Sequence, residues 1–164
     1  MLYFSYGSNM STPRLVKRVP SARALGRALL RRHMLRFHKI GKDGSAKCDA
    51  HAVATDNGVW GVVFDMSPRH KGLLDRAEDL GVGYLEKKVR LLSPTGETLH
   101  AVTYYAIRTD ASLRPFHWYK EHVLRGAREH ALPPDYIARI EAVPSLDDPE
   151  PGRQEAELSI YRTA

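Results

Sequence analysis

The chain has 164 residues, of which 43% are hydrophobic and 27% charged, as is typical of one globular domain with its own core. No apolar run approaches the roughly 20 residues needed to cross a bilayer, so we expect no membrane association. Cys48 is the only cysteine, which excludes an internal disulfide, and the first residues do not resemble a signal peptide. We therefore expect a cytoplasmic protein with a single domain over residues 1–164.

The formal net charge of +6 is distributed unevenly along the chain. Residues 1–47 contain eleven Lys and Arg residues and one acid, Asp43, which gives this segment +10 and the remainder −4. Such asymmetry is found in nucleic-acid-binding proteins and around pockets that attract small anions. No aromatic residue lies between Tyr6 and Phe37, so the segment offers no platform for base stacking. A nucleic-acid partner is therefore disfavoured, and a solvated basic face is the simplest interpretation.

The chain begins with an apolar, aromatic run over residues 2–6, followed directly by Gly7, Ser8 and Asn9. This pattern predicts a buried strand that ends in a sharp turn. Adjacent backbone N–H groups in such a turn form a concavity that suits a carboxylate or an oxyanion, and Gly7 lets the backbone approach a ligand closely. By itself, however, the segment is also typical of an ordinary turn.

Strands and one short helix are predicted next. Ser11 and Pro13 favour the start of a short helix. The apolar spacing of residues 23–39 fits a helix at first and a strand later, so this segment is ambiguous. Two turn signals predict hairpins. Their strands are 51–55 with 59–66, joined at 56–58, and 84–92 with 98–107, joined at 93–96.

The predicted helices lie mainly in the second half of the chain. Proline signals predict one helix from Ser67–Pro68 to about 78–81, a second over 113–130 and a third over 133–142. A Pro- and Asp-rich stretch then begins a C-terminal tail, residues 145–164. Because tight hairpins imply mostly antiparallel pairing, the expected fold class is α+β.

Neither a metal site nor a nucleophile stands out in the sequence. Cys48 and His51 have half of a zinc-binding spacing, but no second pair follows. The chain contains no Gly-x-Ser-x-Gly motif, and Cys48 has no recognisable base beside it. We expect no metal and no cofactor.

Three carboxylates, Asp75, Glu78 and Asp79, cluster where the helix that begins at Ser67–Pro68 is predicted to end. The partial negative charge of a helix C-terminus disfavours an ionised carboxylate, and neighbouring acids act in the same direction. A raised pKa is what a general base needs near neutral pH. A solvated helix end would show the same residues.

The ordered set of motifs resembles the γ-glutamylcyclotransferase family, within the AIG2-like superfamily. The matching segments occur in family order between residue 2 and about residue 143. They are Tyr3-Phe-Ser-Tyr-Gly-Ser-Asn9, Val59-Trp-Gly-Val-Val-Phe64, Leu74-Asp-Arg-Ala-Glu78, Gly83-Tyr84, Trp118-Tyr-Lys120, Gly126-Ala127, Leu132-Pro133 and Tyr136.

The resemblance implies a small mixed, mostly antiparallel β-barrel with surrounding helices, and therefore strands rather than a helix over residues 23–39. It also implies a substrate-binding loop from Tyr3 to Asn9, with pocket residues after it and Glu78 as the catalytic acid/base. The substrate-binding residues implied in this way are Tyr3, Phe4, Ser5, Tyr6, Gly7, Ser8, Asn9, Tyr84 and Tyr119. Ser5 stands where an alanine is frequent in the family. Family members usually have an acidic residue directly after the leucine of the segment that ends in the catalytic glutamate, and here that residue is Asp75.

The activity implied is that of a carbon–nitrogen lyase, formerly classed as an acyltransferase. The α-amine of a γ-glutamyl compound attacks its own γ-carbonyl, which gives 5-oxoproline and a free amino acid or amine. The partner is then a small γ-glutamyl molecule, and we allow for a homodimer. A non-catalytic member that binds γ-glutamyl or amide ligands is the alternative.

Two positions bear on the substrate. The glutathione-specific branch has an aliphatic residue and tryptophan where this chain has Asn9 and Met10, and the γ-glutamylamine branch has threonine in place of Ser8. Both differences favour γ-glutamyl amino acids. A biosynthetic substrate is a further alternative, in which the basic segment would meet an acidic carrier protein.

Overall fold

The computed structural model describes residues 1–162, which contain seven strands, five helices and three short 3-10 turns. The strands are Leu2–Ser5 (β1), Arg23–Arg31 (β2), His33–Ile40 (β3), Ala46–Ala52 (β4), Gly58–Asp65 (β5), Tyr84–Leu92 (β6) and Thr98–Ala106 (β7). The helices are Thr12–Arg18 (α1), Lys71–Ala77 (α2), His117–Glu129 (α3), Pro134–Glu141 (α4) and Arg153–Leu158 (α5). The 3-10 turns are Ser8–Met10, Pro68–His70 and Ser159–Tyr161.

Five strands close into a barrel in the order β1-β5-β2-β6-β7. All neighbours are antiparallel except β1 and β7, which meet in parallel at Tyr3 and Val102. Strands β3 and β4 form a separate antiparallel pair. The backbone N–H of Ala106 in β7 donates to Asp49 Oδ1 in β4 at 2.8 Å and attaches this pair to the barrel. The predicted α+β class and mixed, mostly antiparallel barrel are confirmed.

The ambiguous segment 23–39 forms strands β2 and β3, as the family resemblance implies. A register shift between Ala24 and Gly26 interrupts the pairing of β2 with β5. Such a bulge breaks the two-residue alternation of side chains, and it leaves Leu25 55% exposed. The helix-like spacing of apolar residues therefore results from a bulged strand.

The hairpin predicted at residues 56–58 is wrong. Strand β4 pairs with β3, whereas β5 pairs with β1 and β2 in the barrel. Residues 56–58 therefore connect the β3-β4 pair with the barrel. They do not form a hairpin, because both partners of β5 lie far from it in the sequence. The second predicted hairpin is confirmed, since β6 and β7 pair along their full length.

The segment predicted as a tail, residues 145–164, contains α5, a helix that the sequence pattern does not reveal. Residues 163 and 164 lie outside the described part. Glu157 in α5 forms an ion pair with Arg14 of α1, with 2.6 Å between Oε2 and Nη1. Tyr161 donates its hydroxyl to Ser11 Oγ at 2.9 Å. The end of the described chain is thus fastened to the beginning of α1.

His122 of α3 completes this contact between the ends of the chain. Its side chain is fully buried, and its Nε2 lies 2.8 Å from Arg14 Nη1. Because a guanidinium only donates, Nε2 is the acceptor, which leaves Nδ1 to donate to the Tyr161 hydroxyl 2.6 Å away. His122 is therefore neutral in the folded protein, and burial lowers its pKa to about 4.

Helix α3 packs directly on the 3-10 turn Ser8–Met10 at Gly126. A Cβ on this glycine would lie 2.4 Å from the backbone N of Ser11 and 2.5 Å from the carbonyl carbon of Met10. Neither backbone atom can move aside cheaply, so glycine is needed here for space. The packing fixes the turn in front of the barrel. No helix within residues 1–162 has the length and apolar character needed to span a membrane.

We predict that Gly126→Ala lowers the free energy of unfolding. Alanine usually stabilises a helix relative to glycine by about 0.5–1 kcal/mol, but overpacking typically costs about 1–3 kcal/mol, so the variant loses stability. Gly72→Ala is the matched control, because its added Cβ would meet only Arg76 Nη1, at 3.8 Å. Urea denaturation of both variants measures the effect, and equal stability of the two would contradict this account of the packing.

We also predict an acid-induced loss of stability that depends on His122. The pKa of a histidine in the unfolded chain is about 6.5, whereas that of His122 in the fold is about 4. The unfolded state therefore binds more protons in this window, and stability falls by roughly 2–3 kcal/mol between pH 6.5 and 4.5. His122→Gln cannot titrate and should show a shallower fall in urea denaturation at the two pH values. A fall as steep as in the unsubstituted protein would contradict the prediction.

Candidate active site

Glu78 lies immediately after α2, where the sequence predicts the helix to end. Its backbone N–H donates to the carbonyl of Leu74 at 2.9 Å and closes the last turn. Asp79 then adopts a positive φ of 56° and Gly81 one of 85°, which turn the chain away into β6. The helix end thus holds the Glu78 side chain against the start of the barrel, partly buried.

Tyr3 and Asn9 both donate a hydrogen bond to the same oxygen of Glu78. Asn9 Nδ2 lies 2.5 Å from Oε1, and the Tyr3 hydroxyl lies 3.3 Å from it. Arg18 Nη1 donates to Asn9 Oδ1 at 2.9 Å, and because a guanidinium cannot accept, this contact orients the Asn9 amide group towards the carboxylate. Within residues 1–162, Oε2 of Glu78 accepts no hydrogen bond and remains free for a ligand.

The surroundings of Glu78 raise the pKa of its carboxyl group. Burial raises the pKa of this carboxyl above its ordinary value, while Arg18, the Tyr3 hydroxyl and Lys39 oppose the rise. Burial also raises the pKa of Tyr3, so its hydroxyl stays a neutral donor. The result is a carboxyl group poised to gain and lose a proton.

Glu78 forms part of the wall of a small cavity of about 290 Å³, including the space at its mouth. The remaining lining residues come mostly from the first strand, the turn after it and the tyrosines of the barrel. They are Tyr3, Ser5, Tyr6, Gly7, Ser8, Asn9, Cys48, Tyr84, Tyr104 and Tyr119. The structure therefore brings the predicted loop, Glu78, Tyr84 and Tyr119 together around one cavity.

Backbone groups hold two of the predicted tyrosines in place. The Tyr84 hydroxyl donates to the carbonyl of Cys48 at 2.6 Å, and the backbone N–H of Cys48 donates to the Tyr119 hydroxyl at 2.9 Å. Burial raises the pKa of both phenols well above the usual range. These tyrosines are thus fixed, uncharged walls of the cavity.

The turn after β1 offers free backbone donors at the cavity. The N–H groups of Ser8 and Asn9 donate to no acceptor within the described chain, since the turn uses those of Met10 and Ser11 instead. Gly7 has an ordinary φ of −117°. It is needed for space, because a Cβ there would lie 3.0 Å from Cys48 Cβ.

Phe4 is the one predicted site residue that does not line the cavity. Successive side chains of a strand point to opposite faces, and Phe4 is fully buried in the core while Tyr3 and Ser5 face the cavity. Ser5 Oγ is buried and has no hydrogen-bond partner in the described residues, so it is available to a ligand.

Two further lining residues, Cys48 and Tyr104, are not among the substrate-binding residues predicted from the sequence. Both lie in strands that reach the cavity only through long-range pairing, and no local motif marks them. Cys48 lies in β4, and burial raises the pKa of its thiol to about 12. It is therefore a neutral wall residue and not an activated nucleophile.

The neighbouring acids, Asp75 and Asp79, are engaged elsewhere. Asp75 accepts a hydrogen bond from the Tyr104 hydroxyl at 2.6 Å and pairs with Lys71. Asp79 pairs with Lys42, with 2.9 Å between Oδ1 and Nζ. Of the three carboxylates considered from the sequence, only Glu78 therefore faces the cavity with an oxygen free.

His38, Asp49 and His51 lie close enough to hold a metal ion, with one ligand atom of each within 4.8 Å of the others. The carboxylate already has structural partners, since Oδ2 lies 2.9 Å from His38 Nε2 and Oδ1 accepts from the backbone of Ala106. Cys48 is three positions from His51 along the same strand, so the two side chains point to opposite faces. We keep the prediction that the chain has no metal site.

Comparison with known proteins identifies the family. The model of the AIG2-like family matches residues 58–140. The human protein named gamma-glutamylcyclotransferase is 31% identical over 153 residues, which cover 89% of this chain and 80% of the relative.

Two solved structures share the whole fold. One, named gamma-glutamyl cyclotransferase, has a TM-score of 0.89 and 26% identity and covers 99% of this chain and 98% of its own. The other, a human protein, has a TM-score of 0.87 and 28% identity with coverage of 98% and 97%. Together with the sequence match, they place the Glu78 cavity in a known fold: the chain belongs to the γ-glutamylcyclotransferase family.

Proposed function

We propose that this chain converts a γ-glutamyl compound into 5-oxoproline and a free amino acid or amine, with Glu78 as the acid/base. The observation that carries the proposal is the state of its carboxylate. Tyr3 and Asn9 both hold Oε1, whereas Oε2 is free at the cavity, and burial raises the pKa of the group. A general base needs this combination of fixed orientation, free oxygen and raised pKa.

The reaction moves two protons from the α-nitrogen to the leaving nitrogen, and one carboxylate can carry both in turn. Glu78 first takes a proton from the substrate's α-ammonium, and the freed amine attacks the γ-carbonyl carbon to close a five-membered ring. The carbonyl becomes an oxyanion as the new C–N bond forms. Glu78 then returns the proton to the amide nitrogen, and the old C–N bond breaks as the oxyanion becomes a carbonyl again. The ring nitrogen still carries two protons at this point. Glu78 takes one of them and passes it to the released amine, which leaves as an ammonium, and the ring remains as 5-oxoproline.

The free N–H groups of Ser8 and Asn9 are suited to bind the oxyanion. Losing one such donor typically costs about 3–4 kcal/mol in the transition state. The substrate supplies its own nucleophile, so the neutral thiol of Cys48 is not needed for attack. Well-oriented intramolecular reactions reach effective molarities of roughly 10⁵–10⁸ M, and the narrow tyrosine-walled cavity favours the folded substrate that such an attack requires.

The substrate within this class is proposed from two positions. Asn9-Met10 and Ser8 differ from the patterns of the glutathione-specific and γ-glutamylamine branches, which favours γ-glutamyl amino acids. A cytoplasmic location and a homodimer stay predictions.

We predict that Glu78→Gln removes 5-oxoproline release while the fold is kept. Positioned acid/base groups contribute typically 10²–10⁴-fold, so kcat should fall by at least that range. The assay is chromatographic detection of 5-oxoproline from γ-glutamyl-alanine, with the melting temperature measured in parallel. Glu97→Gln, in the turn between β6 and β7, is the control and should keep full activity. Turnover by Glu78→Gln at the rate of the unsubstituted protein would refute the assignment.

The pH profile gives a second prediction. Glu78 must be ionised to accept the first proton, so kcat/KM should fall as the pH drops through its raised pKa. Arg18 is the strongest influence that lowers this pKa, so Arg18→Gln should move the acidic limb to higher pH. Arg18→Lys keeps the charge and should move the limb less. An acidic limb at the same pH in all three proteins would contradict the role of Glu78 as base.

A further inference from the structure

The small cavity opens into a larger groove, which encloses about 870 Å³ including the solvent at its mouth. The two spaces share Ser8, Glu78, Tyr84 and Tyr119 in their walls. If the γ-glutamyl group fills the inner cavity, the part of the substrate beyond the scissile amide must lie in the groove. The residues of the groove therefore meet the leaving group.

Most of the positive charges in the groove already have partners. Arg14 pairs with Glu157 at 2.6 Å, Lys42 with Asp79 at 2.9 Å, and Lys47 with Asp43 at 2.7 Å. Arg18 donates to Asn9. These contacts account for the cations that approach the groove from α1, the loop after β3 and the start of β4.

Lys39 is different, because its residue is buried and its ammonium has no directly bonded partner within the described chain. The residue is only 5% exposed, yet within residues 1–162 its ammonium donates no hydrogen bond and has no carboxylate within 4.0 Å. Its Nζ lies 4.8 Å from the centre of the Tyr84 ring. Burial lowers the pKa of this amine, and the charges of Asp79 and Glu78, which form no direct ion pair with it, oppose the fall.

The fold makes room for this ammonium at a defined place. Lys39 follows a register shift in β3, where a bulge redirects side chains. It reaches Gly83, on which a Cβ would lie 2.6 Å from Nζ. Gly83 directly precedes Tyr84, which lines both the inner cavity and the groove. The free charge is thus held beside the passage through which the scissile amide must extend.

We infer that Lys39 determines specificity by binding a carboxylate of the leaving group. This inference rests on the proposed function. In a γ-glutamyl amino acid, the carboxylate is attached to the carbon next to the scissile nitrogen, so it enters the groove at its inner end. There it would supply the direct ion pair that Lys39 does not form within the described chain, whereas an amide or a simple amine would not.

The experiment compares two substrates that differ only in this charge, γ-glutamyl-alanine and γ-glutamyl-alaninamide. We expect the unsubstituted protein to prefer the first by roughly 10–100-fold in kcat/KM, the range expected for a hydrogen bond to a charged group. Lys39→Met should remove most of this preference by slowing the first substrate. The second should stay within about threefold when kcat/KM is measured above the acidic limb, where the effect of Lys39 on the pKa of Glu78 does not count. Lys39→Arg should restore part of it, and Lys88→Met, on the exposed face of β6, controls for the loss of one positive charge.

The outcomes separate this inference from the proposed function. Equal turnover of both substrates by the unsubstituted protein overturns the role of Lys39, leaves the function standing and needs no variant to fold. An equal loss on both substrates in Lys39→Met, with a shifted acidic limb, also overturns it, because Lys39 would then act through Glu78. Absence of 5-oxoproline from every γ-glutamyl compound overturns the function and the inference together.

Discussion

The hydrogen bond from Asn9 to Glu78 joins the two parts of the chain on which the site depends. It connects the turn after β1 with the end of α2, and the donor and acceptor lie 69 residues apart and 2.5 Å from each other. Arg18 fixes the amide from behind, and Gly126 lets α3 press on the turn that carries Asn9. The surrounding structure thus holds the turn after β1 against the end of α2.

The same arrangement explains why a group of neutral residues surrounds one titratable acid. Buried tyrosines form the cavity walls. The hydroxyls of Tyr84 and Tyr6 donate to the backbone carbonyls of Cys48 in β4 and Tyr104 in β7. Burial keeps these phenols and the Cys48 thiol protonated. Glu78 is then the group at the cavity whose proton can move near neutral pH, and intramolecular attack requires one such group.

Much of this site follows from local sequence, because local sequence specifies strand ends, turns and helix ends. The aromatic run before Gly7 gave β1 and its turn, and the acids after Leu74 marked the end of α2. The hairpin at 56–58 was mispredicted because the turn signal is local, whereas β5 finds its partners across the barrel. Helix α5 was missed because it is short and is held by the long-range ion pair of Glu157 with Arg14.

The role of the basic residues before position 48 also could not be predicted from local sequence. The excess of basic residues before position 48 is visible in the sequence, but nothing there separates a solvated face from an anion-binding groove. Folding places Arg14, Arg18 and Lys39 beside Glu78. Among the cations of this groove, Lys39 is the one whose charged group has no hydrogen-bonded partner within the described residues. This distinction arises from tertiary packing, through the bulge in β3 and the space at Gly83.

A crystal structure of the Glu78→Gln variant with γ-glutamyl-alanine bound would show directly whether position 78 contacts the substrate's α-nitrogen. The account predicts that the substrate's α-nitrogen lies within about 3.2 Å of the side chain at position 78, with the γ-carbonyl oxygen facing the N–H groups of Ser8 and Asn9. A substrate whose α-nitrogen points away from position 78, or whose γ-carbonyl lies outside the turn, would contradict it.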